Sequence, residues 1–222
     1  MFFDWLNSSI GRKQIVAVTG LILILFVLGH LAGNLLIFLG PEAFNGYAEK
    51  LAHLRPGLYF VEIVLAWIFI IHMWVTALLV LGNIRSRPKE YKVIKPQGDR
   101  SWATQLMPYT GTIILLFIIW HLKDFTFADK NGGLSFLPDG QSYGLYGIVV
   151  NTFRNPTHSG LYIIVMFCLG LHLSHGVQSF LQTFGFNHPR LTPAIVQFSN
   201  FFALLIAVAY SSIPLYVMIK FV

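Results

Sequence analysis

The sequence predicts an all-α integral membrane protein: one domain over residues 1–222, folded as a bundle of five transmembrane helices. The first observation behind this is composition, with 55% of the 222 residues apolar and only 11% charged. A soluble domain of this size carries roughly 25% charged residues. The second is a mean hydropathy of +0.66. The third is that five apolar runs reach the ~20 residues needed to cross about 30 Å of hydrocarbon. Lipid-exposed strands are excluded in such a setting because their backbone groups would find no partners.

The elements follow in order. Residues 1–10 read as a short interfacial segment, with Phe2, Phe3, Trp5 and Leu6 on an amphipathic pattern. Arg12 and Lys13 then precede a run too long for a signal-peptide core. The spans are expected at 14–39, 58–82, 104–128, 158–183 and 193–220. Between the first two lie the Gly40-Pro41 turn and an amphipathic stretch over 45–54, closed by Arg55-Pro56-Gly57. The second connection, 85–102, is strongly polar. The third carries the turn signals Asn131-Gly132-Gly133 and Pro138-Asp139-Gly140, then a short helix over 142–153. The last, 185–193, is brief.

Charge distribution orients the bundle. The net charge of +6 comes from cations clustered beside apolar runs, which argues against nucleic acid as a partner. Nine lie on one side: Arg12, Lys13, Arg85, Arg87, Lys89, Lys92, Lys95, Arg100 and Arg190. Five lie on the other: Lys50, Arg55, Lys123, Lys130 and Arg154. The positive-inside rule places the N-terminus in the cytoplasm and the C-terminus outside a bacterial cytoplasmic membrane. The single cysteine, Cys168, lies in an apolar run and reads as a small core residue. One thiol cannot hold an iron–sulfur cluster.

Histidine is expensive inside a bilayer and marks function there. His30, His72, His121, His172 and His175 all fall within spans, and each of the first four spans holds at least one. Depth tests whether they belong together. With Lys13 and Ala103 as cytoplasmic edges, His30 and His121 lie 17 and 18 residues in, roughly 26 Å along each helix. With Gly82 and Gln182 as edges, His72 and His172 are each 10 residues from the cytoplasm, roughly 15 Å. Two level pairs about 10 Å apart in depth are what two bis-histidine b haems require. His175, three residues after His172, shares its face but misses the level of His72, so it is expected to donate to a haem propionate. His53, His158 and His188 fall in connections or at span ends, where interfacial solvation explains them. Gly29, Gly33, Gly111, Gly170 and Gly176 near the ligands would admit a flat macrocycle, although helix contact alone also predicts some of them.

Short motifs in fixed order carry a family resemblance from about residue 8 to the end. They are Ser8-Ser9-Ile10-Gly11-Arg12-Lys13, Thr19-Gly20-Leu21, Gly29-His30-Leu31-Ala32-Gly33-Asn34-Leu35, Gly40-Pro41-Glu42-Ala43-Phe44-Asn45, Trp120-His121 and Leu171-His172-Leu173-Ser174-His175-Gly176. The chain resembles the diheme cytochrome b membrane subunits of succinate:quinone oxidoreductases and fumarate reductases, in their single-anchor, five-helix form. The resemblance implies His30 and His121 as axial ligands of a distal haem near the outer surface. It implies His72 and His172 for a proximal haem near the cytoplasmic partners. Those partners would be a flavoprotein subunit and an iron–sulfur subunit, with electrons passing through the haems to or from a quinone. Some relatives carry a glutamate two residues before the fourth ligand for proton transfer; Gly170 stands there in this chain.

Quinone reduction takes up two protons, so an ionisable group near the site is expected. Glu62, inside the outer end of the second span, is the first candidate, and Asp124, just past His121, the second. A menaquinone near the distal haem, with Glu62 exchanging the proton, is the reading the sequence suggests. The alternative for both carboxylates is an interfacial pair with Arg55 or Lys123. Lys13, Trp102, His175 and Gln178 are the candidates for the proximal propionates. Three other functions fit less well: a diheme anchor of another quinone-linked dehydrogenase (hydrogenase or formate dehydrogenase), a haem-free transporter relaying protons on histidines, and a purely structural anchor.

Overall fold

The computed structural model describes residues 2–86 and 102–222. Arg87, Lys89, Lys92, Lys95 and Arg100 lie outside the described residues. Eight α-helices follow in order: α1 (Phe2–Asn7), α2 (Ser9–Asn34), α3 (Pro41–His53), α4 (Gly57–Arg85), α5 (Trp102–His121), α6 (Gly144–Phe153), α7 (Pro156–Thr183) and α8 (Thr192–Phe221). Five segments are long and apolar enough to cross a membrane: Ser9–Leu39, Gly57–Arg85, Thr104–Thr126, Pro156–Thr183 and Thr192–Phe221. The protein is therefore a five-helix membrane bundle, with no strand among the described residues.

The first span starts at Ser9, earlier than its apolar run implies, because Ser8 caps it. The Ser8 hydroxyl oxygen accepts the Gly11 N–H at 2.9 Å, satisfying a donor that the first helical turn leaves free. At its C-terminal end the same span tightens into a 3-10 turn over Leu35–Leu39 and stops at Gly40, whose φ of 96° suits glycine alone. α5 continues past His121 as a π-turn over Leu122–Thr126, closed by the Phe127 N–H on the Leu122 carbonyl at 2.9 Å.

The packing order places the histidines. α7 and α8 form the most extensive contact, followed by α5 with α7, α2 with α4, and α2 with α7. α4 has no buried residue, and its only substantial packing among the described residues is against α2. α2 and α5 likewise share no substantial backbone packing. The four histidine-bearing helices thus run α4–α2–α7–α5, with space kept between α2 and α5 and between α4 and α7. α8, which bears no histidine, buttresses this set, and its Tyr210 hydroxyl donates to the Val27 carbonyl at 2.7 Å.

Two apolar clusters hold the bundle. One lies between α2, α7 and α8 around Ile24, Leu31, Leu173, Val177, Ala203 and Ile206. The other gathers Ile37, Phe44, Tyr146, Val150, Phe153, Tyr162 and Val217 at the outer end. There α3 and α6 form a cap. Asn45 pins them together, donating to the Tyr143 carbonyl at 2.7 Å and accepting the Tyr146 N–H at 3.0 Å.

Candidate functional site

Each histidine at the inner level is held by a threonine of the helix beside it. His72 on α4 has its Nδ1 3.0 Å from Thr19 Oγ1 on α2. His172 on α7 has its Nδ1 3.2 Å from Thr110 Oγ1 on α5. His175 makes a third contact of this kind, 3.1 Å to Thr104. Glycines complete the arrangement: a Cβ built on Gly20 would stand 3.3 Å from His72 Cε1, and one on Gly111 would stand 3.5 Å from His172 Cε1.

At the outer level the rings of His30 and His121 face each other, with centroids 5.7 Å apart and planes at 88°. Phe26 and Tyr210 flank His30, while Phe117, Phe125 and Tyr162 surround His121. The buried Nδ1 of His121 has no hydrogen-bond partner. A lone polar atom in that position is costly unless something binds it or its ring.

These residues fit haem iron. Two imidazoles on opposite sides of one metal ion, at bonds of about 2.0–2.1 Å, put their nitrogens about 4 Å apart and their ring centres about 6 Å apart. The His30–His121 spacing matches that requirement. At the other level the threonines face Nδ1 of His72 and of His172, and Nε2 of neither ring has a hydrogen-bond partner among the described residues.

The sequence-predicted glycines divide. Gly111 faces a ligand ring, whereas Gly170 packs on α8, where a Cβ would meet Ala207 at 3.0 Å and the Ala203 carbonyl at 3.2 Å. A side chain at position 170 would press on α8 and require the two helices to part by a few tenths of an ångström. Gly33 packs against the Tyr47 ring, and Gly29 and Gly176 face open space. Gly20 of α2 stands to His72 of α4 as Gly111 of α5 stands to His172 of α7, a match across two helices that the sequence signals only by the Thr19-Gly20-Leu21 motif.

The two carboxylates part company. Glu62 is half-exposed and pairs with Arg55 at 3.4 Å, the interfacial alternative. Arg55 itself lies over the Tyr59 ring. Asp124 is largely enclosed, with a side chain 15% exposed. Its Oδ2 accepts the Tyr162 hydroxyl at 2.7 Å and lies 2.9 Å from His158 Nε2. His158 is therefore not a solvated end-of-span residue. Asn155 caps α7 by accepting the Thr157 and His158 N–H groups, which fixes where His158 starts. His158 and Tyr162, four residues apart, stack on one face at 5.1 Å, and Trp120 covers His158.

Among the propionate candidates, Lys13 is exposed and Gln178 half-buried on the helix that carries His175. Trp102 opens α5, but its side chain lies outside the described residues. The residue that sequence reasoning passed over is Arg12, whose Nε is buried without a partner. Its spacing of seven from Thr19 puts both on one stripe of α2, a signal available from the sequence.

The described residues form a membrane-spanning helical bundle with histidines on four of its five spans. The chain is similar along nearly its whole length to the succinate dehydrogenase cytochrome b558 subunit of Bacillus subtilis. The two are 26% identical over 217 residues, covering 97% of this chain and 98% of the relative. That likeness supports a cytochrome b anchor of the succinate dehydrogenase type. No family model matches the chain, and no solved structure matches it significantly.

Proposed function

We propose that this chain is the membrane-anchor cytochrome b subunit of a succinate:quinone oxidoreductase, joining a cytoplasmic flavoprotein and iron–sulfur protein to a quinone. The observation that carries the reading is the two-level histidine arrangement on four adjacent spans, supported by the near full-length likeness to such a subunit. His72 and His172 would hold the inner haem b, and His30 and His121 the outer one. Two haems bound there would supply one-electron carriers through the bilayer. The chain's own residues set ligation, spacing and polarity. Two histidines holding each haem iron would leave it no free position, and such a haem would serve electron transfer rather than oxygen binding. Lys13, Trp102, His175 and Gln178 would pair with the propionates at the cytoplasmic end, joined by Arg12, whose buried Nε has no partner.

Quinone reduction consumes two electrons and two protons, so a proton must be delivered where the quinone binds. We assign this to Asp124 rather than Glu62. Asp124 stands three residues after His121, carries a hydrogen-bonded His158 and Tyr162, and is shielded from bulk water. A carboxylate in reach of a histidine and a phenol can pass a proton inward without leaving a bare charge. Glu62, already paired with Arg55 at the surface, lacks that connection.

The test is a reduced-minus-oxidised spectrum of the purified complex with a haem-to-chain ratio, repeated on His30→Ala and His72→Ala. Two b haems per chain are expected, with one lost in each variant. A wild-type complex without b-haem absorption would overturn the cytochrome reading and bring the proton-relay transporter forward.

A further inference from the structure

The inner histidines share a device that the outer ones lack. Thr19 and Thr110 each precede a glycine, Gly20 and Gly111, and each Thr-Gly pair stands on the helix packed against a ligand helix, α2 against α4 and α5 against α7. In both pairs the hydroxyl faces the histidine Nδ1, and the glycine leaves room beside Cε1. Two antiparallel helix pairs thus repeat one local solution.

The hydroxyl protons decide which way the hydrogen bonds run. Thr19 is 8% exposed, and its hydroxyl donates to the Ile15 carbonyl at 2.7 Å. Thr110 is 4% exposed, and its hydroxyl donates to the Leu106 carbonyl at 3.1 Å. A hydroxyl has one proton to donate. With that proton committed to its own helix, each oxygen can only accept from the imidazole. In that arrangement Nδ1 of His72 and of His172 carries the N–H, which leaves Nε2 with its lone pair.

We propose that Thr19-Gly20 and Thr110-Gly111 are positioning pairs for the inner haem: the threonine fixes the tautomer and basicity of the axial histidine, and the glycine fixes the ring's approach. The inference rests on the haem reading above. A ligand imidazole that donates its second N–H is a stronger donor to the metal, and it favours the oxidised iron. Removing the acceptor should raise the inner haem's midpoint potential and leave the outer haem's unchanged. The shift should appear in both Thr19→Val and Thr110→Val, because each removes the hydroxyl facing a histidine Nδ1. Valine preserves the branched shape, so the change reports on the hydroxyl alone.

The experiment is a redox titration of the two b haems, with low-temperature EPR of the oxidised low-spin signals. It is run on the wild-type complex, Thr19→Val, Thr110→Val and the corresponding serine variants. An upward shift or a loss confined to the inner haem, reversed by serine, supports the proposal. Two haems at unchanged potentials in both valine variants would overturn it while leaving the haem reading intact. Equal disturbance by valine and serine would also overturn it, because the hydroxyl would then not be the cause. A wild-type complex without haem would instead sink the underlying reading.

Discussion

At the level of His72 and His172, each imidazole meets a threonine of the neighbouring helix and a glycine beside its ring. At the level of His30 and His121, two imidazoles face each other among Phe26, Phe117, Phe125, Tyr162 and Tyr210, and the buried Nδ1 of His121 has no acceptor. At the inner level each histidine Nδ1 faces a threonine hydroxyl that also reaches a carbonyl of its own helix. The outer level trades that contact for aromatic surroundings and for the Asp124–His158–Tyr162 cluster a turn away. Polar groups at the inner level serve the ligands themselves. At the outer level they stand beside the ligands, on a π-turn, where they can serve a substrate. π-turns within helices often mark functional sites.

The sharpest way to break this comparison is to remove the proton carrier of the outer level. Asp124→Asn keeps the shape and one acceptor but cannot ionise. Quinone-linked succinate oxidation should fall about 10²-fold, within the range general acid–base groups contribute, while reduction of an artificial acceptor by the soluble subunits is unchanged. Glu62→Gln should alter quinone-linked turnover by less than about twofold, as expected of an exposed ion pair. The opposite ranking would move the proton exchange to Glu62 and leave the Asp124 cluster a structural brace.

The sequence shows the levels more clearly than it shows their surroundings. Span count and the depth of each histidine depend on hydropathy and helical rise, which are properties of single segments. Gly20 and Thr19 escaped notice as partners of His72 because the match lies across two helices and depends on how α2 is rotated against α4. Gly170 illustrates the converse: it sits two residues from a ligand, yet it faces Ala203 and Ala207 of α8. The ranking of Glu62 over Asp124 followed from depth alone. The proposal favours Asp124 because of the π-turn at 122–126, which brings it against Tyr162 and His158 of α7, and the cap at Asn155, which starts that helix. Neither leaves a periodic signal in the chain.

The ends of the bundle differ in packing as well. At the outer end, Gly147 of α6 lies against the backbone of Ser135, which is fully buried, so a Cβ there collides with a carbonyl that cannot swing aside. At the inner end of α4, Gly82 has nothing within 4 Å of where its Cβ would be. Gly147→Ala should therefore destabilise the protein by about 1–3 kcal/mol, the range for overpacking. Gly82→Ala should be neutral or gain about 0.5–1 kcal/mol from helix propensity. Thermal unfolding in detergent, followed at the haem band and by tryptophan fluorescence, separates the two. Equal responses would mean that the outer cap yields as freely as an exposed helix end.

The smallest expected effect concerns the connection that closes this cap. Asp139 accepts the Tyr143 hydroxyl at 2.6 Å and the Gln141 N–H at 3.0 Å. The Tyr143 bond, followed by the backbone bond, lowers the carboxyl below its ordinary value. The same contact raises the Tyr143 phenol. A carboxyl lowered on folding stabilises the turn above its unfolded value of about 4, and that contribution is lost as the pH falls through the lower, folded value. A phenol raised on folding acts in the other direction, lending stability below about 10 and losing it as the pH rises further. Because both groups are exposed, the effect belongs to the turn and not to the bundle. Amide hydrogen exchange over 133–143, corrected for intrinsic rates, should accelerate by less than about fivefold in acid, consistent with an exposed pair. Exchange in the α2–α4 pair should not follow it. Asp139→Asn should abolish the acid response, and if it persists, Tyr143 is held in place by the Asn45 and Ser135 contacts to its backbone rather than by this carboxylate.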